Sequence, residues 1–291
     1  MIDPKADLFE MPSPYVFCYN NPIIYKDPDG ELAILINGLT SSNSERANAS
    51  YWGNQIINII KNSGIPNSSN IMFVDGNQYL RGTPLSKMDD WPRDEAHNIS
   101  TAGVTRGNMT EGNSAQARND AGYLQARADF AQILMKLATD PDTKKIVEKI
   151  QIYTHSRGAA FGAGYITGLL YEISKHADMF ADPKNVIDLV FDMAPNEAGR
   201  DGATLPDGLN AYSISHGEDP LSSTWQRGTK ANFHSYERVS GLLGQHSIKS
   251  FGRDLKAFVD AYSDSKGNSQ ALINTFIQNM SKYGIKVNVI Q

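Results

Sequence analysis

The sequence predicts a three-layer α/β fold with a mostly parallel sheet and helices on both faces. Short, continuous apolar runs alternate along the chain with longer amphipathic segments of helical period. Such runs are typical of strands buried on both faces of a parallel sheet, and their alternation with helices is typical of βα units. A third observation is the junction at Ser156, where an apolar run ends at one serine and a helical segment follows at once.

The predicted elements follow in order from residue 31. Leu32–Ile36 is the first strand, and Tyr51–Ile60 is a helix with Trp52 and Ile56 on one face. The same patterns predict strands at Ile71–Val74, Ile150–His155, Val186–Phe191 and Leu209–Ile214, helices at Asn119–Lys136, Phe161–His176, Ile248–Tyr262 and Ser269–Lys282, and one or two helical turns at Lys144–Lys149. Residues 76–118 are rich in Gly and Asn and lack periodicity, so we interpret them as irregular and as a lid or cap over a pocket.

Composition and charge argue against several functional classes. Of the 291 residues, 40% are hydrophobic and 20% are charged, which favours one large folded domain over disorder. The formal net charge is −5 and no stretch is dense in Lys or Arg, so we expect no nucleic-acid partner. The lone Cys18 forms no intramolecular disulfide, and no apolar run approaches the roughly 20 residues of a membrane helix. We see no signal peptide and expect any export to use another route or a longer parent chain.

Residues 1–30 differ in composition from the rest of the chain and have the character of a string of turns. They contain Asp3–Pro4, Ser13–Pro14–Tyr15, Asn20–Asn21–Pro22 and Asp27–Pro28–Asp29–Gly30. This spacing resembles the end of the core region of Rhs (YD-repeat-associated) bacterial surface and toxin-delivery proteins, where it precedes a variable C-terminal effector. The resemblance implies a linker at residues 1–30 and an effector domain at residues 31–291. The alternative is a Pro-rich leader without function.

The segment around Ser156 has the pattern of a nucleophile elbow. The apolar run from Ile150 stops at the serine, and Gly158 with other small residues opens the following helix. A strand, a sharp turn and a helix would lift the hydroxyl above the sheet edge and aim the helix N-terminus at a developing oxyanion. The pattern resembles the Gly-x-Ser-x-Gly elbow of α/β-hydrolases, with Thr154 in place of the first glycine.

A nucleophilic serine needs a base, and the base needs a carboxylate that holds its tautomer. In α/β-hydrolases the chain order is serine, acid, histidine. Asp219 lies in a turn after the last predicted strand, and His246 lies in the loop before a predicted helix, so both fit that order. The alternatives left open are Asp192 and Glu218 for the acid and His234 and His216 for the base. We expect His155 to pack beside the elbow, and His97 and His176 to lie on the surface.

Two backbone N–H groups are expected to form an oxyanion hole. One belongs to Arg157, directly after the serine, and the other to Leu39 in the loop Asn37–Thr40 after the first strand. Gly38 would let this loop approach a substrate closely. The alternative is an ordinary turn between a strand and a helix. We expect the Arg157 side chain to be solvated rather than to bind an acidic head group.

Over residues 31–265 the chain resembles lipase-like and esterase-like serine hydrolases. The resemblance implies hydrolysis of a lipid or other carboxylic ester through an acyl-serine intermediate. With the Rhs-like segment, it implies a bacterial effector, exported or delivered at the cell surface within a larger protein, and a cognate immunity protein as partner.

Two alternatives to this activity remain: an inactive binding or toxin module of the same fold, and an unrelated α/β domain in which Ser156 caps a helix. We expect no cofactor and no metal. The chain lacks the Gly-Lys-Ser/Thr of a P-loop and lacks His or Cys pairs at zinc-ligand spacing.

Overall fold

The structure is a computed structural model that describes residues 32–63, 70–81, 103–107, 114–196, 203–222, 225–240 and 244–290. Its strands and helices are, in chain order, β1 (Leu32–Asn37), α1 (Ala49–Lys61), β2 (Ile71–Asp75), β3 (Gln78–Leu80), β4 (Val104–Arg106), α2 (Ala115–Lys136), β5 (Ile150–His155), α3 (Gly158–Lys175), β6 (Ile187–Met193), β7 (Ala211–His216), β8 (Ala231–Ser235), α4 (Gly252–Ser265), α5 (Ser269–Lys282) and β9 (Val287–Ile290). Helix α1 is kinked at Gly53, where φ is +72°. Among the described helices, we find none with the length and hydropathy of a membrane span.

One seven-stranded sheet forms the centre of the molecule, with strand order β2-β1-β5-β6-β7-β8-β9. All neighbouring strands in it run parallel except β8 and β9, which pair antiparallel. Because parallel strands end at the same edge, the loops after β1, β5, β6 and β7 converge there. Ligand and catalytic sites of α/β proteins lie outside this edge.

The sheet separates two apolar cores. Leu32, Ile34 and Ile36 of β1 pack in one core with side chains of α2 and α3. Ala33 and Leu35, which point to the opposite face, pack in the other core with side chains of α1, α4 and α5. The three-layer, α/β-hydrolase-like fold class predicted from the sequence is therefore confirmed.

The helical turns predicted at Lys144–Lys149 are wrong. The Asp140 carboxylate accepts a hydrogen bond from the backbone N–H of Thr143 at 2.7 Å, which closes a turn instead. The buried Ile146 then forms an isolated β-bridge with Phe180. A local side-chain bond and the burial of one isoleucine thus outweigh the helical preference of the lysines.

The interpretation of residues 76–118 as irregular is wrong at Gln78–Leu80, at Val104–Arg106 and from Ala115 onward, where the structure has strands and a helix. Strands β3 and β4 form an antiparallel pair. Helix α2 begins at Ala115, earlier than predicted, because the Ser114 side chain caps it by accepting from the Ala117 N–H. Residues 82–102 and 108–113 of this segment, and the linker predicted at residues 1–30, lie outside the described residues, so the lid and the linker stay predictions.

Candidate active site

The chain turns sharply at Ser156, between β5 and α3. Ser156 has a φ of +59°, in the left-handed region that residues other than glycine seldom adopt. The turn is held from two directions, since the Ser156 N–H donates to the Met193 carbonyl (3.0 Å) and its own carbonyl accepts from the Asn196 N–H (3.1 Å). A strained residue persists only where its surroundings fix it, and such residues cluster at functional sites. The structure thus places a constrained serine at the sheet edge, beside the N-terminus of α3.

Thr154 fits where such an elbow usually has glycine because α3 makes room for it. Its hydroxyl donates to Asp192 Oδ1 on the neighbouring strand at 2.6 Å. Its methyl carbon points at Gly162, where an added Cβ would lie only 2.7 Å away. The methyl group cannot rotate clear, since the hydroxyl is anchored and a β-branched side chain is stiff at χ1. Gly162 in the helix thus provides the space that a glycine at position 154 of the strand would otherwise provide.

This contact predicts that Gly162→Ala will lower the free energy of unfolding by about 1–3 kcal/mol, through overpacking. In a Thr154→Ser background the same substitution should be neutral or stabilising. Serine keeps the hydroxyl that binds Asp192 and loses the obstructing methyl group, and alanine exceeds glycine in helix propensity by about 1 kcal/mol. Urea denaturation of the four proteins of this cycle measures the effect. An equal cost in both backgrounds would show that the methyl group is not the obstacle.

Three polar side chains meet above the elbow. Ser156 Oγ lies 2.7 Å from His246 Nε2, and His246 Nδ1 lies 2.7 Å from Asp219 Oδ2. An ionised carboxylate only accepts, so Nδ1 donates to it and Nε2 is left to accept from the serine hydroxyl. The Asp219 side chain is fully buried, and that of His246 is 12% exposed. This arrangement can take a proton from the serine as the oxygen attacks a carbonyl carbon.

The turn after β7 fixes the orientation of Asp219. Its second carboxylate oxygen, Oδ1, accepts from the Leu221 N–H at 2.9 Å. The Asn196 side chain donates to the Leu221 carbonyl at 2.8 Å. Since the Asn196 N–H also holds the Ser156 carbonyl, one residue links the turn of the acid to the turn of the serine.

The two alternative acids lie elsewhere. Asp192 is fully buried beneath the elbow, and burial raises the pKa of its carboxyl group to about 7 although the hydrogen bond from Thr154 lowers it. Glu218 is exposed to solvent. Neither carboxylate forms a hydrogen bond with a histidine in the part of the chain that the structure describes.

The alternative bases have other partners. His234 Nδ1 lies 3.1 Å from the hydroxyl of a serine in β7. His216 Nε2 lies 3.2 Å from Asp254 Oδ2, and both of these side chains are fully buried. The His176 side chain is 34% exposed, as expected of a surface residue, and His97 lies outside the described residues.

His155 and Tyr51 connect two loops of the site, a role that the sequence patterns did not indicate. The carbonyl of His246 only accepts, so His155 Nε2 donates to it, at 2.9 Å. His155 Nδ1 is therefore an acceptor, and the Tyr51 hydroxyl donates to it across 2.5 Å. The same hydroxyl accepts from the Gly38 N–H at 3.1 Å. Burial lowers the pKa of His155 well below its usual value, which keeps the ring neutral as this hydrogen-bond chain requires.

The loop Asn37–Thr40 lies directly against the elbow. A Cβ at Gly38 would lie 2.6 Å from Ser156 Cβ and 3.2 Å from the Arg157 nitrogen, so this approach requires glycine. The Gly38 N–H is already bonded, whereas that of Leu39 has no acceptor among the described residues. Arg157 lies at the N-terminus of α3. The structure thus places the loop that carries Leu39 beside the Arg157 backbone nitrogen, and the oxyanion hole stays a prediction.

Comparison with known proteins gives structural matches alone. No family model matches the chain, and no curated protein matches it. One similar solved structure is a candidate α/β-hydrolase of unknown function from Agrobacterium tumefaciens, at 12% identity and a TM-score of 0.38, with 85% of this chain and 90% of that chain covered. Another is a candidate cell-surface hydrolase from Lactobacillus plantarum WCFS1, at 12% identity and a TM-score of 0.40, with 87% and 99% covered. The assignment of a function therefore rests on the geometry of the site.

Proposed function

We propose that this protein is a serine hydrolase that cleaves a carboxylic ester through an acyl-serine intermediate on Ser156. The observation that supports the proposal is the continuous chain from Ser156 Oγ through the His246 ring to the Asp219 carboxylate, with both contacts at 2.7 Å. A serine that merely caps a helix would bond to a backbone N–H of that helix with its hydroxyl. Here the N-cap residue of α3 is Arg157, and the serine hydroxyl meets a histidine.

The reaction follows from the positions of these groups. Ser156 Oγ attacks the ester carbonyl carbon while its proton passes to His246 Nε2, and Asp219 stabilises the imidazolium that forms. The N–H groups of Leu39 and Arg157 are proposed to bind the oxyanion of the tetrahedral intermediate. The intermediate collapses as the imidazolium gives its proton to the leaving alcohol, and a water molecule then releases the acyl group by the same two steps.

The resemblance of the chain to lipase-like enzymes supports a lipid or another carboxylic ester as the substrate. The resemblance of residues 1–30 to the end of an Rhs core supports a role as a bacterial effector within a larger delivered protein. In that role a cognate immunity protein is the expected partner.

A fluorophosphonate probe tests the proposed activity directly, because it phosphonylates an activated serine and leaves ordinary serines unmodified. We expect one adduct per chain, which peptide mapping places on Ser156. His246→Gln should abolish labelling, since the base is removed. His234→Gln is the matched control, because that histidine also contacts a serine hydroxyl but lies outside the proposed triad. An unlabelled native protein would contradict the proposal and favour an inactive module of the same fold.

Tyr51→Phe should lower kcat/KM for an ester about tenfold, which corresponds to ~1.4 kcal/mol of transition-state stabilisation. The substitution leaves the Gly38 N–H and His155 Nδ1 without their buried partner. The loops that carry Leu39 and His246 then lose their common anchor, and the unfolding free energy falls by about 1–3 kcal/mol.

Tyr165→Phe separates the positioning effect from the loss of stability. The hydroxyl of this buried tyrosine donates to Asp129 at 2.9 Å, on the face of the sheet covered by α2 and α3. We expect a similar loss of stability with unchanged kcat/KM, both measured well below the unfolding temperature. Equal kinetic losses in the two variants would show that Tyr51 acts through stability alone.

A further inference from the structure

A second cluster of ionisable side chains lies behind the loops that carry the proposed acid and base. It consists of His216 at the end of β7, Glu237 after β8 and Asp254 in the first turn of α4. Each offers one nitrogen or carboxylate oxygen, and these three atoms lie within 4.8 Å of one another. The cluster takes no part in the reaction proposed above.

The ring orientation of His216 leaves a lone pair directed into the cluster. Its Nδ1 faces the carbonyl of Gln245 at 2.9 Å, and a carbonyl only accepts, so Nδ1 carries a proton. In the neutral ring Nε2 is then an acceptor, and it lies 3.2 Å from Asp254 Oδ2, which is also an acceptor. Two acceptors this close require a cation between them, either a proton or a metal ion.

The two carboxyl groups add further unsatisfied acceptors. Asp254 Oδ1 and Glu237 Oε2 are buried, and neither atom meets an N–H or hydroxyl donor among the described residues. The Asp254 side chain is fully buried and that of Glu237 is 11% exposed. Arg253 satisfies only the other oxygen of Glu237, at 3.0 Å. Two carboxyl groups and one imidazole, with their ligand atoms within 4.8 Å of one another, leave the cluster short of buried positive charge.

We propose that His216, Glu237 and Asp254 bind a divalent metal ion, and that the site prefers zinc. One imidazole nitrogen and two carboxylate oxygens are a donor set that suits zinc, whereas calcium and magnesium prefer oxygen ligands throughout. A histidine that binds a metal usually donates its other ring N–H to a carbonyl or carboxylate, as His216 does here.

The ion has a structural role in this proposal. The carbonyl that holds His216 belongs to Gln245, the residue before His246. The backbone carbonyl of His216 accepts from the Asp219 N–H at 3.1 Å. Metal binding would therefore fix β7 and the start of α4 on either side of the acid and the base. The three ligands come from separate elements, so the sequence holds no short motif that would reveal them.

Zinc binding to the full chain tests this inference independently of any activity. After treatment with a chelator and dialysis, isothermal titration calorimetry with zinc should show one ion per chain, and the melting temperature should rise with zinc. Glu237→Gln should weaken binding by about 100-fold or more, because replacing even an outer-shell partner of a metal ligand costs about 10–100-fold in affinity. Glu172→Gln is the matched control, because Glu172 also lies near an arginine and a histidine but outside the cluster.

Loss of zinc binding in Glu237→Gln, with binding retained in Glu172→Gln, supports the site. Binding that is unchanged in Glu237→Gln overturns it, as does a folded wild-type protein that takes up no zinc. Circular dichroism checks that the Glu237→Gln variant is folded. If it is unfolded, the His216→Gln variant is titrated in its place. A wild-type titration that shows no zinc uptake overturns the proposal by itself, whatever the behaviour of the variants.

Discussion

Ser156→Ala is expected to abolish ester hydrolysis, with a fall in turnover on the order of 10⁴–10⁶. The substitution removes the oxygen that His246 Nε2 meets at 2.7 Å, so no acyl-enzyme can form. Release of a chromophore from a short-chain ester measures the loss. Fluorophosphonate labelling should disappear with it.

The fold of this variant should be retained. Alanine keeps the Cβ of serine, and the backbone hydrogen bonds that hold the turn do not involve the hydroxyl. An unfolding midpoint close to that of the wild type is the necessary control. Unchanged ester turnover in a folded Ser156→Ala protein would end the hypothesis of a serine nucleophile.

Asp219→Asn is expected to lower turnover by about 10²–10⁴-fold. A neutral amide cannot stabilise the imidazolium, and its NH₂ group can donate to Nδ1 and so favour the wrong tautomer of His246. The ester assay at saturating substrate measures the effect on turnover.

Asp192→Asn is the matched comparison for this prediction. It makes the same chemical change in a buried carboxylate one strand away. The Asp192 carboxylate bonds to Thr154 through an oxygen that asparagine retains, so activity should persist. A large loss in Asp192→Asn with little loss in Asp219→Asn would show that the acid was assigned to the wrong residue.

Much of the candidate site was predictable because the pattern around each of its residues is local in sequence. The strand before Ser156 and the helix after it appear as an apolar run and an amphipathic segment, and the structure places both there. The turn after β7 and the loop before α4 bring Asp219 and His246 to the serine because parallel strands end at one edge. Chain order and strand polarity favoured these two residues over the alternatives, and the structure brings both to Ser156.

The remainder depends on contacts between residues far apart in sequence. Tyr51 and His155 are 104 positions apart, and nothing in the helical pattern of α1 distinguishes Tyr51 from an ordinary core residue. The strands β8 and β9 were not predicted, because one carries Asn, His and Ser in its five residues and the other has only four residues. Such short strands are defined by their neighbours in the sheet more than by their own composition.

The contact between Thr154 and Gly162 has a consequence for how such sites are recognised in other chains. The steric limit at this elbow applies to the sum of two side chains, one on the strand and one on the second turn of the helix. A sequence pattern that requires glycine two residues before the serine therefore tests only one of the two positions that share this steric limit. Chains with threonine at the first position should carry glycine at the second, whereas chains with glycine at the first are free to place alanine at the second. A search that scores both positions together would include elbows of this type, which a five-residue motif omits.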